Sequence, residues 1–207
     1  MKGRWIVFEG LDGAGTTTQV KLLESALRGL LGDQALIRST AEPTHGPFGE
    51  ICRQALKGQI SLDRRTLALA FTTDRCQHVF SEGGIEATLD SGGWILQDRY
   101  LHSTLAYQDG PDRDWLEALH SIFPRPDLLF FIDTPIAECL SRIRSRGQDQ
   151  ELFEREEVLR SVQAAYRLIL EKERVTHRVE ILDGTQPAGS LHRQVLERIQ
   201  SHFHPAG

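Results

Sequence analysis

The sequence predicts an α/β fold: a five-stranded parallel sheet with helices on both faces. Three observations carry this. Five short apolar runs, at 4–9, 35–39, 94–97, 128–132 and 179–182, alternate with stretches of helical periodicity along the 207 residues. Most of these runs are apolar nearly throughout, as strands covered on both faces are. The first run passes through three glycines directly into a helix, the order of a strand–loop–helix unit that binds phosphate.

The elements follow in order. Trp5-Ile6-Val7-Phe8 begins the sheet. Thr16 to Leu31 reads as a helix, with Val20, Leu23, Leu27 and Leu30 on one face and Gly32-Asp33 ending it. The second strand spans Ala35 to Ser39. Glu42-Pro43-Thr44-His45-Gly46-Pro47 must be a loop, because its prolines and glycine exclude regular structure. A helix from Phe48 to Leu56 follows, and Ser61-Leu62-Asp63-Arg64 caps a longer one reaching Ser81. Another helix precedes Ser91-Gly92-Gly93. The third strand, Trp94 to Gln97, ends in Asp98-Arg99-Tyr100. Residues 103–122 are helical with a break at Asp109-Gly110-Pro111. Leu128 to Ile132 is the fourth strand. A helix from Pro135 to Arg146 leads to the polar patch Gly147-Gln148-Asp149-Gln150, and a long charged helix runs from Leu152 to Arg174. The fifth strand, Val179 to Leu182, and a helix from Ala188 to Phe203 complete the chain. No repeat or interdomain linker interrupts it, so residues 1–207 read as one domain.

Composition narrows the function. A net charge of −5 offers no basic field for a nucleic acid polymer. The longest apolar runs, about five residues, are far too short for a membrane span. The three cysteines, Cys52, Cys76 and Cys139, are widely spaced and read as reduced thiols of a cytoplasmic protein. The N-terminus enters a strand at once, without a signal-peptide pattern.

Ligands of such sheets bind beyond the carboxyl ends of the strands. The loops at Gly10–Thr17, Glu42–Pro47 and Asp98–Tyr100 all lie there and should line one cleft. Gly10 and Gly15 have the spacing of the GxxxxGK[ST] loop, whose backbone N–H groups and following helix N-terminus attract a polyphosphate. Thr17 stands where the Mg²⁺-binding hydroxyl belongs, and Thr16 where the lysine belongs. Asp98, at a strand end, can hold Mg²⁺ or sit near an attacking oxygen. Arg99 can grip a phosphate with its fork. Phe71 and Arg75 share a helix face, as do Ser103 and Tyr107, and Arg142 and Arg146. Taken alone, Phe71 is core and the arginines are a solvated face. Of the eight histidines only His45 lies in an expected site loop; the others read as surface or packing residues.

Phe8-Glu9-Gly-x-Asp12-Gly-Ala-Gly, Glu42-Pro43, Phe71-x-x-Asp74-Arg75 and Asp98-Arg99-Tyr100-x-x-Ser103-x-x-Ala106-Tyr107-Gln108 together resemble the thymidylate kinases, over nearly the whole chain. The resemblance implies a P-loop nucleoside-monophosphate-kinase fold, a homodimer, and transfer of the ATP γ-phosphoryl to dTMP with Mg²⁺, giving dTDP. It implies that Gly10, Leu11, Asp12, Gly13, Ala14, Gly15, Thr16, Thr17 and Thr18 form the ATP loop, with Thr17 and Asp98 on the metal. Asp12 would face the acceptor's sugar hydroxyl and act with Asp98 in catalysis. Arg99 would contact the dTMP phosphate, Phe71 would stack on the base and Arg75 would donate to its carbonyl. Ser103, Tyr107 and Gln108 would complete the acceptor pocket, with Tyr107 under the deoxyribose.

The pattern departs at three places. Thr16 replaces the loop lysine, Ala41 stands where many members carry arginine, and Leu152 takes the place of a lid arginine. The expectation that follows is relocation: Arg142 and Arg146, in a lid at about 142–156, reach the β/γ-phosphates instead. The alternatives are a catalytically silent nucleotide-binding or regulatory protein, and a kinase of another nucleotide or deoxynucleoside.

Overall fold

The structure, a computed structural model, describes residues 3–108, 112–145 and 155–203. Five strands, β1 (Arg4–Gly10), β2 (Ile37–Ala41), β3 (Trp94–Asp98), β4 (Leu128–Asp133) and β5 (Val179–Asp183), form one sheet in the order β2-β3-β1-β4-β5. Every pairing is parallel. The helices are α1 (Thr16–Leu31), α2 (Pro47–Leu56), α3 (Arg64–Phe80), α4 (Ile85–Asp90), α5 (Leu101–Tyr107), α6 (Arg113–His120), α7 (Ile136–Ser145), α8 (Glu156–Thr176) and α9 (Ala188–Phe203). Among the described residues no helix is long and apolar enough to cross a membrane.

The apolar runs make the core. Trp5, Ile6, Val7 and Phe8 of β1 and Leu128 to Ile132 of β4 are all buried, and Phe8 stacks on Phe130 with ring centroids 5.1 Å apart. Burying such a side chain contributes about 1.5–3 kcal/mol, so the two central strands anchor the sheet. Their register then sets the site. Phe8 pairs with Asp98 and Gly10 with Ile132, so the glycine loop leaves the sheet beside Asp98. β1 is central, with chain crossings on both sides of it, which is the switch point where a crevice opens.

The second strand departs from the sequence reading in a way that bears on the site. The second strand is shifted from 35–39 to Ile37–Ala41, because its ladder with β3 runs from Ile37–Trp94 to Ala41–Asp98. That shift delivers Glu42 to the level of the loop. Within the expected cap Ser61-Leu62-Asp63-Arg64 the capping residue of α3 is Asp63: its carboxylate accepts from Arg65 N at 3.0 Å and Thr66 N at 3.1 Å. The break expected at 109–111 and most of the lid expected at 142–156, including Arg146 and Leu152, lie outside the described residues.

Candidate active site

The glycine loop is shaped by its neighbours. Gly13 and Gly15 have φ of 85° and 105°, a region that favours glycine. A Cβ on Gly13 would lie 2.6 Å from the Cys139 carbonyl, so α7 packs directly on the loop. Arg142, also on α7, donates Nη1 to the Ala14 carbonyl at 3.1 Å and the Gly13 carbonyl at 3.4 Å, and Nη2 to the Gly184 carbonyl at 2.9 Å and to Glu138. Thr134 Oγ1 also donates to the Ala14 carbonyl, at 3.2 Å. N–H and C=O point in opposite directions across a trans peptide. Holding the Ala14 carbonyl against α7 therefore turns the Gly15 N–H away from it, into the open side of the loop. Arg142 is thus engaged by loop carbonyls and by Glu138 one turn earlier. It is not the free lid cation that its helix face alone suggested.

The side chains of the loop divide. Leu11, Ala14 and Thr16 are buried, while Thr17 and Thr18 are exposed at the start of α1. Thr17 Oγ1 donates to Asp98 Oδ2. Asp98 Oδ1 is buried with no hydrogen-bond partner among the described residues. A buried, unpartnered carboxylate oxygen beside a threonine hydroxyl at a phosphate loop is a fitting place for Mg²⁺, which uses one or two carboxylates and completes its shell with phosphate and water. On the α7 side a cavity of 470 Å³ lies between Gly13, Ala14, Gly15, Thr18, Arg142 and residues 184–188.

A second cavity, of 320 Å³, abuts the loop through Asp12 and Asp98 and is lined by Phe71, Arg75, Arg99, Ser103, Tyr107 and Gln108 among others. Its volume suits a small ligand. Arg99 has a φ of 65°, uncommon for a residue with a side chain. Its guanidinium donates to Asp12 Oδ1 at 2.7 Å and Ser103 Oγ at 3.1 Å, and lies 5.3 Å from the Tyr107 ring centroid. The Tyr107 hydroxyl donates to Asp12 Oδ2 at 3.0 Å and accepts from Asp12 N at 3.1 Å. Asp12 and Arg99 are therefore one unit, which is why an acid is tolerated inside a phosphate loop.

Arg75 is 1% exposed. Its Nε donates to Glu42 Oε2 at 2.8 Å and its Nη2 to Thr104 Oγ1 at 2.9 Å, between the rings of Tyr100 and Phe123. Its Nη1 has no partner among the described residues. Arg75 lines the 320 Å³ cavity. Phe71 is half-buried in the same wall rather than in the core, and the buried Gln108 has its Nε2 unpartnered. The structure thus gathers Asp12, Phe71, Arg75, Asp98, Arg99, Ser103, Tyr107 and Gln108 around one cavity. It places Gly13, Ala14, Gly15, Thr18 and Arg142 around the other.

The sequence reading missed several participants. Glu42 holds Arg75 and also meets His78 Nδ1 at 3.0 Å, while His78 Nε2 lies 2.7 Å from Thr40 Oγ1. Glu9 is fully buried beneath Arg99 and Ser103, and Gly184–Ala188 line the α7-side cavity. His78 and His102 are not inert packing: each stands against buried carboxylates. Glu9 had left a signal, a charge inside an otherwise apolar strand. Gly184 had left another, a glycine just beyond the carboxyl end of β5.

Comparison with known proteins agrees with this geometry. A family profile described as thymidylate kinase matches residues 8–195. The thymidylate kinase of Leptospira borgpetersenii is 34% identical over 205 residues, covering 96% of this chain and 94% of its own. The crystal structure of thymidylate kinase from Ehrlichia chaffeensis superposes with a TM-score of 0.74 at 26% identity, covering 97% of this chain and all of that one (100%). The thymidylate kinase of Candida albicans gives a TM-score of 0.81 over 98% of this chain and 93% of its own; at 23% identity that likeness speaks to fold.

Proposed function

The chain belongs to the thymidylate kinase family, and we infer from that premise that it phosphorylates dTMP to dTDP, with ATP as donor. One observation carries the assignment of the acceptor: the 320 Å³ cavity beside the loop has both Arg99 and Arg75 in its lining. Arg99, held by Asp12, Ser103 and Tyr107, takes the 5′-phosphate. Arg75, with its spare Nη1, takes a base carbonyl, and Phe71 stacks on the ring. Tyr107 and Asp12 face the sugar, and Gln108 adds an amide donor.

The donor's base and sugar occupy the 470 Å³ cavity beside Arg142 and Gly184–Ala188, and its phosphates lie along Gly10–Thr18. Thr17 and Asp98 would hold Mg²⁺, which would supply positive charge against the charge that develops on the transferring phosphoryl group. The acceptor phosphate oxygen then meets the γ-phosphorus in line. No covalent enzyme intermediate is needed; positioning and charge stabilisation carry the transfer. The loop works without a lysine at position 16. Arg142 supports its carbonyls from behind, and Arg146, in a lid at about 142–156, adds charge at the terminal phosphates. We read the chain as one domain, working as a cytoplasmic homodimer.

A coupled ADP-release assay over dTMP, dUMP, dCMP, dGMP and thymidine, run beside a nucleotide-binding measurement, tests the reading. dTMP is expected to react fastest. dCMP should be rejected by about 10⁴-fold, because its amino group leaves the Arg75 donor unpaired, while loss of one methyl in dUMP costs only about 1–3 kcal/mol. Thymidine, lacking the phosphate that Arg99 holds, should not react. Tight nucleotide binding with no turnover of dTMP would reject the reading in favour of a silent binder.

Arg142→Ala is expected to separate the two sides of the site. Released loop carbonyls let the donor phosphates shift, so kcat/KM for ATP should fall by roughly 10- to 100-fold. KM for dTMP should hold, since Arg142 does not line the acceptor cavity. Steady-state kinetics with each substrate varied in turn checks this.

A further inference from the structure

His102 lies in the first turn of α5, 0% exposed, between two carboxylates from different elements. Its Nδ1 is 3.6 Å from Glu9 Oε1 on β1, and its Nε2 is 3.8 Å from Glu173 Oε1 on α8. Neither ring nitrogen has a hydrogen-bond partner among the described residues. A neutral imidazole carries one N–H and one lone pair. In this setting its lone pair would face a buried carboxylate. An imidazolium presents an N–H to each.

Glu9 needs such a counterion. Its Oε1 accepts from Tyr100 N at 2.8 Å and Ser103 N at 3.1 Å, and its Oε2 from Ser103 Oγ at 2.6 Å and Tyr166 Oη at 2.8 Å. Ser103 Oγ in turn accepts from Arg99 Nη1 at 3.1 Å. A single line of contacts therefore runs from Glu173 through His102 and Glu9 to Ser103 and Arg99. We propose that His102 is a positioning residue carried as a buried imidazolium, which fixes Glu9 and through it the Ser103–Arg99 grip on the acceptor phosphate. The kinetic role rests on the dTMP reading above; the charge state of the ring does not.

The surroundings agree on the sign. Burial by itself would lower the pKa of His102, but Glu173 and Glu9 outweigh it and hold the group above the usual histidine range. Glu9, despite burial, is held below the usual carboxylate range by His102, Arg99 and Ser103, and Glu173 is drawn down to about 2 by His102, with Arg125 and His177 contributing. The Tyr166 hydroxyl and the Tyr100 ring face the same space, and His120 on α6 stays neutral, its pKa pushed down to about 3 chiefly by burial. A histidine with a raised folded pKa contributes fully below its unfolded value of about 6.5. That contribution is lost as the pH rises through the higher folded value. The grip on dTMP should therefore weaken on the alkaline side.

The test pairs spectroscopy with kinetics on the full chain. ¹⁵N NMR of the imidazole is expected to show both ring nitrogens of His102 protonated at neutral pH, deprotonating only above the ordinary histidine value of about 6.5. Glu173→Gln should move that deprotonation to lower pH, and the alkaline rise in KM for dTMP with it. His102→Gln should lower kcat/KM for dTMP by about 10- to 100-fold, mainly through KM, flatten the alkaline limb, and leave KM for ATP unchanged. A ring neutral at pH 7, or a folded Glu173→Gln variant whose KM profile stays at the original pH, overturns the proposal. Failure of the unaltered chain to use dTMP would instead overturn the function reading, so the two failures are told apart.

Discussion

Arg99→Ala should lower kcat/KM for dTMP by about 10²- to 10³-fold. Truncating one partner of a buried, hydrogen-bonded charge pair costs about 2–5 kcal/mol, and each 1.4 kcal/mol is tenfold. Arg99 is half-buried and already paired before any ligand arrives: Asp12, Ser103 and the Tyr107 ring fix its plane. Such preorganisation puts no ordering cost on the substrate. Removing the guanidinium also leaves Asp12 as an uncompensated acid where a phosphate must sit, so part of the loss is repulsion. Arg99→Lys should recover only a small part, because an ammonium cannot serve Asp12 and Ser103 together and still offer a fork to phosphate. The check is full kinetics with circular dichroism as a control for folding. The loss should fall on dTMP, with KM for ATP little changed. An Arg99→Ala enzyme with unaltered KM and kcat for dTMP would place the acceptor phosphate elsewhere.

What could be read in the sequence was the part set by neighbours along the chain. β1, the glycine turn and α1 follow one another, so apolar run, glycine spacing and helical face sufficed to place the turn between that strand and that helix. Phe71 and Arg75, one helical turn apart, were legible for the same reason. The unread part is set across the chain. Arg142 looked free because nothing within its own helix shows that the Gly184 carbonyl, 42 residues away, will accept from it. His102 looked inert because its partners lie 93 residues before it and 71 after it, on β1 and α8. The edge strand β2 was misplaced by two residues because a short polar-ended strand takes its register from its partner, here β3. Periodicity can say that a residue is inside; it cannot say which carboxylate it will meet there.

The register that misplaced β2 also creates the most sensitive position on the donor side. Asp98 ends β3 directly beside Phe8, the last apolar residue before the glycine loop, so its carboxylate is presented to Thr17 by two paired strands rather than by a loop. Asp98→Asn keeps this shape: the amide oxygen can still accept from Thr17 Oγ1, and the volume is unchanged. What it removes is the negative charge and the spare oxygen that would face Mg²⁺. A metal's contribution to phosphoryl transfer is several kcal/mol, and 1.36 kcal/mol is tenfold in rate. The expected outcome is a fall in kcat of about 10²- to 10³-fold, with KM for dTMP little affected and the Mg²⁺ concentration for half-maximal rate raised. Titrating Mg²⁺ in the ADP-release assay separates the causes. Partial recovery at high Mg²⁺ means that the ion has been weakened rather than excluded. A variant as fast as the parent at the same Mg²⁺ would show that Asp98 closes the strand by pairing with Thr17 and holds no metal, and the catalytic charge would then have to come from the arginines alone.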